Sequence, residues 1–103
     1  MKNTIKSHKH FDFTDSKAVT MDAFLMKFRP HMFESGQYGL TASKRTFKHA
    51  VDRNRAKRLL RTWIRIAELP KDFDILFIAK AKILETTLKD GVAQMRKALK
   101  KVT

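Results

Sequence analysis

The chain has 103 residues, 43% of them hydrophobic, which suits one domain with a modest core and is too apolar for a disordered tail. Its 23 Lys and Arg against 10 Asp and Glu give a net charge of +13, which indicates a polyanionic partner, nucleic acid before an anionic membrane surface. The absence of cysteine excludes disulfides and thiolate metal sites. No apolar run reaches the roughly 20 residues of a membrane span, and the N-terminus lacks a secretory apolar core, so we expect a soluble cytoplasmic protein.

The first part of the chain predicts two strands. Residues 1–10 are polar and basic and form either a flexible tail or a short helix, and no linker divides residues 1–103, so we expect a single domain. Residues 22–28 have apolar side chains at both odd and even positions, which favours a strand covered on both faces over a short buried helix. A loop is predicted over 29–37 and a second strand over 38–44, forming a hairpin with the first.

The second part predicts a helix, a strand and another helix. The first helix begins near residues 48–52 and runs to about Glu68, before Pro70. Consecutive apolar residues over 72–81 indicate a central strand buried on both sides. Apolar residues recur every three or four positions over 86–102, which predicts a helix that Gly91 weakens slightly. We therefore predict an α+β fold, an α-β sandwich in which helices pack on a small sheet.

The first of these helices has two different faces. At 100° per residue, its apolar side chains fall within an arc of about 140°, which suits docking on the sheet. The next arc, of about 160°, is basic, with Arg53 at the border. From Lys44 to Arg65 there are nine basic residues and one acidic residue, whereas an ordinary solvated surface mixes the two signs. Arginine predominates on this arc, and its planar fork of donors matches phosphate oxygens.

The stretch SKRTFKHAVDRNRAKRLLRTWIR, residues 43–65, resembles the signature of the bacterial ribonuclease P protein component. That family has a Lys-Lys or Lys-Arg pair closing a strand and then a helix of the form RNRxKRxxRxxxR. The segments YGLTASK before the helix and LPKDFDILFIAKA after it are similar to the family's strands, so the resemblance covers roughly residues 11–100. The residues matching its RNA-binding positions are Lys44, Arg45, Arg53, Asn54, Arg55, Lys57, Arg58, Arg61 and Arg65.

The resemblance implies an α-β sandwich with a left-handed βαβ crossover, against the usual right-handed rule. It implies a subunit of ribonuclease P that binds a catalytic RNA and precursor tRNA and assists removal of the 5′ leader. The RNA performs the hydrolysis with Mg²⁺ held mainly by RNA and substrate, so the polypeptide alone is expected to be inactive, without catalytic or metal-binding residues. Phe11 and Phe13 match the family's leader-binding aromatic pair and can stack on unpaired bases; a place in the core is the equal alternative.

The remaining candidates favour structural roles. His8 and His10 are an insufficient basis for a metal site, and Asp72 and Asp74 are expected to serve the turn after Pro70. The alternating side chains of Phe24, Met26 and Phe28 and the side chain of Trp63 are expected in the core. No nucleophile elbow, zinc-protease motif or Gly-rich phosphate loop is present, so the polypeptide offers no catalytic constellation.

Two other function classes compete with the ribonuclease P hypothesis. A general basic nucleic-acid-binding module, ribosomal or DNA-directed, would use the same helix in a groove and take no part in cleavage. A membrane-surface or calmodulin-target helix is disfavoured, because the apolar face is needed for the core. No obligate protein partner is evident.

Overall fold

The structure is a computed structural model that describes residues 3–4, 17–30, 37–71 and 73–102. The strands are β1 (Asn3–Thr4), β2 (Lys17–Thr20), β3 (Phe24–Pro30), β4 (Gln37–Thr41) and β5 (Phe73–Ala79); the helices are α1 (Ala50–Ala67), α2 (Leu88–Lys100) and a short 3₁₀ helix (Ala81–Glu85). The predicted α+β class is confirmed. In these ranges no helix has the length and apolar composition needed to span a membrane.

The strands form one sheet in the order β1-β4-β5-β3-β2. β5 is central: it is parallel to β4 and antiparallel to β3, so that Ile78 lies opposite both Thr41 and Leu25. The predicted hairpin between residues 22–28 and 38–44 is therefore wrong, because β5 separates those two strands. A strand with apolar side chains on both faces gains most from the central position, and β5 is that strand. Its predicted central, buried role is confirmed.

Two predicted strand boundaries change. The strand expected over 38–44 is β4 and ends at Thr41, so the Lys-Arg pair lies in a turn beyond it. The loop expected over 29–37 begins later, because β3 continues to Pro30. Neither β1 nor β2 was predicted. Residues 1–10 were expected to be a flexible tail or a short helix, whereas Asn3–Thr4 form a strand that pairs with β4. In β2 only Val19 of its four residues is buried, and such a short edge strand has little apolar pattern to detect.

Helix α1 confirms the predicted span. It begins at Ala50, after His49, and ends at Ala67. The next residue, Glu68, has a φ of 61°, and Pro70 then prevents continuation. Because α1 connects the parallel strands β4 and β5, the predicted βαβ crossover is confirmed. The left-handed sense of this crossover stays a prediction.

The core lies between one face of the sheet and both helices. The ring of Phe24 lies 6.4 Å from that of Trp63 on α1 and 5.7 Å from that of Phe77 on β5, measured between centroids. All three side chains are fully buried, as is Met95 of α2. The molecule is thus a two-layer sandwich, as predicted, and the expected core positions of Phe24, Met26, Phe28 and Trp63 are confirmed.

Gly91 allows the close approach of the two helices. A Cβ atom added there would lie 2.1 Å from Cε2 and 2.2 Å from Cζ2 of Trp63. The indole therefore occupies the space that a side chain at position 91 would need. The sequence predicted that this glycine slightly weakens the helix, whereas the structure shows that Trp63 of α1 packs directly onto it.

Asp74 joins three strands at one end of the sheet. It lies within β5 and not in the turn after Pro70, so that prediction is wrong for Asp74, while Asp72 lies outside the described residues. The Asp74 carboxylate is buried and accepts hydrogen bonds from the backbone N–H of Gln37 at 3.0 Å and from Nε of Arg29 at 3.2 Å. Burial of this charge is tolerated because it is paired and hydrogen-bonded.

Candidate nucleic-acid interface

Helix α1 presents its cations to solvent because its opposite side is fixed in the core. The buried side chains are Ala56, Leu60, Trp63 and Ile64. The polar side of the helix, called here the cationic face, consists of Asn54, Arg55, Lys57, Arg58, Arg61 and Arg65. All six are exposed except Lys57, which is half-buried. The predicted division of the helix into an apolar side and a basic side is confirmed.

A tight turn positions Lys44 and Arg45 just before this helix. The backbone N–H of Thr46 donates to Oγ of Ser43 at 3.2 Å, and the backbone N–H of Phe47 donates to the Ser43 carbonyl at 2.9 Å. Phe47 is buried and anchors the end of the turn in the core. The two basic side chains, both exposed, are therefore held on a defined backbone close to the start of α1.

Arg53 lies at the border of the two sides of α1, as predicted, and has an internal role. Its Nη1 donates to the carbonyl of Phe47 at 2.9 Å and to that of Lys48 at 3.3 Å. These bonds attach the connection from the turn to the first helical turns. Through these bonds the half-buried Arg53 helps to position the neighbouring cations. The remaining N–H donors of its guanidinium group are left for a partner.

The amino end of α1 adds to the positive potential. His49 occupies the N-cap position and makes no side-chain capping hydrogen bond. Helix N-terminal N–H groups and the helix dipole favour a nearby anion.

Val51, in the first turn, is 74% exposed beside the cationic face, so an apolar contact with a ribose or base is also available there. Asp52 is the one acidic residue of α1.

This arrangement is suited to binding a polyanion. Arg61 and Arg65 follow Arg53 and Lys57 at four-residue intervals, and such like-charge pairs each destabilise an isolated helix by about 0.2–0.5 kcal/mol. Phosphate groups would convert that repulsion into charge-assisted hydrogen bonds. Because the apolar side of α1 is docked, the guanidinium groups form a fixed array that needs little further ordering on binding.

The other face of the sheet carries basic residues that the sequence analysis missed. Phe24 and Phe28 point toward the helices, so the alternating positions Lys27 and Arg29 lie on the opposite face, where both are half-buried. The period-two alternation along β3 was the available signal. The predicted leader-binding residues Phe11 and Phe13 lie outside the described residues.

Within the ranges that the structure describes, no group of three or more His, Asp or Glu side chains is arranged to hold a metal ion. His8 and His10 lie outside these ranges.

Comparisons with known proteins agree with the motif and the fold. The family model described as ribonuclease P matches residues 1–103. The ribonuclease P protein component of Legionella pneumophila strain Lens is 33% identical over 98 residues, covering 95% of this chain and 85% of the relative. That of strain Corby is 37% identical over 82 residues, covering 80% and 71%. The Staphylococcus aureus RNase P protein, at 20% identity, shares the fold with a TM-score of 0.79 over 100% of this chain and 97% of its own. The chain belongs to the ribonuclease P protein family.

Proposed function

We propose that this chain, a protein subunit of ribonuclease P, binds the catalytic RNA of the enzyme through the cationic face of α1 and the turn carrying Lys44 and Arg45. The observation that carries the proposal is the exposed array of arginines on a helix whose other side is locked into the core. The family membership favours this function over a general nucleic-acid-binding module, since the basic helix alone would suit either.

The substrate proposed is precursor tRNA, with its 5′ leader contacted by Phe11 and Phe13. The support is the match of these positions to the family's aromatic pair, together with the capacity of aromatic rings to stack on unpaired bases at about 1–3 kcal/mol per base. A leader is single-stranded, so its bases are available for stacking.

Hydrolysis of the leader is assigned to the RNA and not to the polypeptide. In this proposal Mg²⁺ is held by RNA and substrate oxygens and supplies activation of water and stabilisation of phosphate charge. The protein supplies positive charge that brings the two RNAs together against their mutual repulsion. It therefore lowers the concentration of Mg²⁺ that the RNA needs.

Reconstitution with the cognate catalytic RNA tests the proposal. Cleavage of precursor tRNA is measured across a Mg²⁺ titration with protein alone, RNA alone and both. We expect no cleavage by protein alone, and activity of the mixture at lower Mg²⁺ than RNA alone requires. The variant carrying Arg55→Ala and Arg58→Ala should lose this advantage at limiting protein and regain it at higher protein concentration, because its defect is in assembly.

The same double variant also controls for contaminating nuclease. A contaminant would cleave equally in the wild-type and variant preparations. Cleavage by RNA-free wild-type protein that is absent from an identically purified variant would overturn the assignment of catalysis to the RNA. An unchanged Mg²⁺ requirement in the variant would overturn the role of the cationic face.

A further inference from the structure

The net charge of the molecule is concentrated in two segments. Residues 44–65, in the turn and α1, contain nine basic residues and one acidic residue, a balance of +8. Residues 91–103, in α2 and after it, contain four basic residues and no acidic residue, a balance of +4. Together they hold 12 of the 13 excess positive charges in about a third of the chain. The catalytic RNA is the proposed partner of the first segment, whereas the second segment has not yet been assigned a partner.

The fold packs the helix that carries the second segment against α1. Helices α1 and α2 pack against each other, with Trp63 resting on Gly91 near one end of the contact. Toward the other end, Arg96 and Lys100 of α2 line an open groove whose opposite wall is residues 67–70. Leu69 and Leu99 form the floor of this groove and are both buried, and Glu68 is its acidic member.

The four cations are exposed and have no structural task in the core. Arg96, Lys97, Lys100 and Lys101 are all exposed, while the buried side of α2 is formed by Val92, Met95, Ala98 and Leu99. Within the described residues, the acid nearest to this group in the sequence, Asp90, lies at the opposite end of the helix.

The helix dipole does not account for this charge. A helix C-terminus carries the equivalent of about half a negative charge, confined to the last turn. Lys97 and Lys100 lie in that last turn and already exceed it, while Arg96 precedes the turn and Lys101 follows the helix. Glu68 offsets one of the four cations at most. An excess of like charge on one short surface costs stability unless a polyanion covers it.

We propose that the C-terminal half of α2, presenting Arg96, Lys97, Lys100 and Lys101, is a second RNA-binding surface that contacts the phosphate backbone of the RNA bound by α1. This proposal rests on the proposed function, because it assumes that an RNA is the partner of α1. The groove beside Arg96 and Lys100 gives the backbone a defined place, with phosphates on the two cations.

The experiment measures binding of the cognate catalytic RNA at several salt concentrations. Each phosphate contact contributes about 0.7–0.9 to the slope of log K against log salt concentration. The variant carrying Arg96→Gln and Lys100→Gln should therefore show a slope smaller by about 1.4–1.8, with an unchanged thermal melt because both side chains are exposed.

A matched control removes the same charge elsewhere. Lys82 lines a pocket with Asp22, Glu85 and Asp90, where a phosphate would be repelled, and Lys80 lies close to it in the chain. The variant carrying Lys80→Gln and Lys82→Gln should bind with the wild-type slope. Equal slope changes in the two double variants would mean that only net charge matters and would overturn the proposal.

A third variant, Arg58→Gln, separates the two proposals. If it flattens the salt dependence while the α2 variant keeps the wild-type slope, RNA binding by α1 stands and the second surface is refuted. If neither variant changes the slope, the RNA-binding function of α1 fails, and the second surface fails with it. Support requires that both variants flatten the slope and the control does not.

Discussion

Replacing Gly91 with alanine tests the contact between Gly91 of α2 and Trp63 of α1, where the two helices pack together. In an open helix this change stabilises by about 0.5–1 kcal/mol, because glycine has the greater backbone entropy to lose. Here the new methyl would lie 2.1 Å from the Trp63 ring, whereas ordinary contacts begin at 3.4 Å, so ring and helix must separate by about 1.3 Å. Overpacking of a core costs about 1–3 kcal/mol, and complete loss of a buried Trp about 3–5 kcal/mol.

We therefore expect Gly91→Ala to lower the free energy of unfolding by about 1–3 kcal/mol, because the mid-points of these two costs, about 2 and 4 kcal/mol, are each reduced by the gain in helix propensity of up to about 1 kcal/mol. For a domain of this size, each kcal/mol corresponds to roughly 4–8 °C in Tm. Unfolding is followed by far-UV circular dichroism in urea. Ala93→Gly, at an exposed position of the same helix, measures the propensity contribution alone.

A second background makes the reasoning refutable. In Trp63→Leu the ring is absent, so adding Gly91→Ala should be neutral or stabilising, and the effect of the alanine should change sign between the two backgrounds. If Gly91→Ala destabilises both backgrounds equally, the glycine acts through its backbone and not through the indole. If it stabilises the wild-type chain, the helix contact described above is wrong.

Three further predictions concern the RNA surface, the leader and a helix cap. Arg55→Ala and Arg58→Ala should each alter stability by less than about 0.5 kcal/mol and flatten the salt dependence of catalytic-RNA binding by about 0.7–0.9; an early melt or an unchanged slope contradicts this. Replacing Phe11 and Phe13 with alanine should weaken binding of precursor tRNA more than of mature tRNA, and equal weakening would indicate a core role. Thr87→Ala removes the side-chain acceptor for the Asp90 N–H and should cost about 1 kcal/mol, checked by urea unfolding against Thr87→Ser, which keeps it.

The helices and the central strand could be predicted because their signals are local. The two sides of α1 follow from its periodicity, and the apolar run in β5 shows that the strand is covered on both faces. Partner choice in the sheet could not be predicted in this way. Residues 22–28 and 38–44 carry hairpin-like turn signals between them, but both pair with residues 73–79, and nothing local to the first two segments shows that preference.

Within the site, the residue types were predictable and their contacts were not. Arg53 belongs to the same basic pattern as Arg58, yet its hydrogen bonds to the carbonyls of residues 47 and 48 depend on the path of the connection before α1. The place of Lys44 and Arg45 in a turn likewise depends on Ser43 and on the burial of Phe47. Such roles arise from tertiary geometry, which side-chain periodicity does not contain.

The central position of β5 constrains the order in which the molecule can assemble. β3 and β4 are synthesised first, and each presents a backbone edge that only β5 pairs. The pair of Phe24 and Ala79 joins positions 55 residues apart, so sheet closure is a non-local and comparatively slow step. Until Phe73–Ala79 has left the ribosome, α1 has no completed surface on which to dock its apolar side. The nascent chain therefore carries the basic residues of α1 before the sheet that orders them is complete. During this interval, keeping cellular RNA away from the exposed cations would favour correct folding.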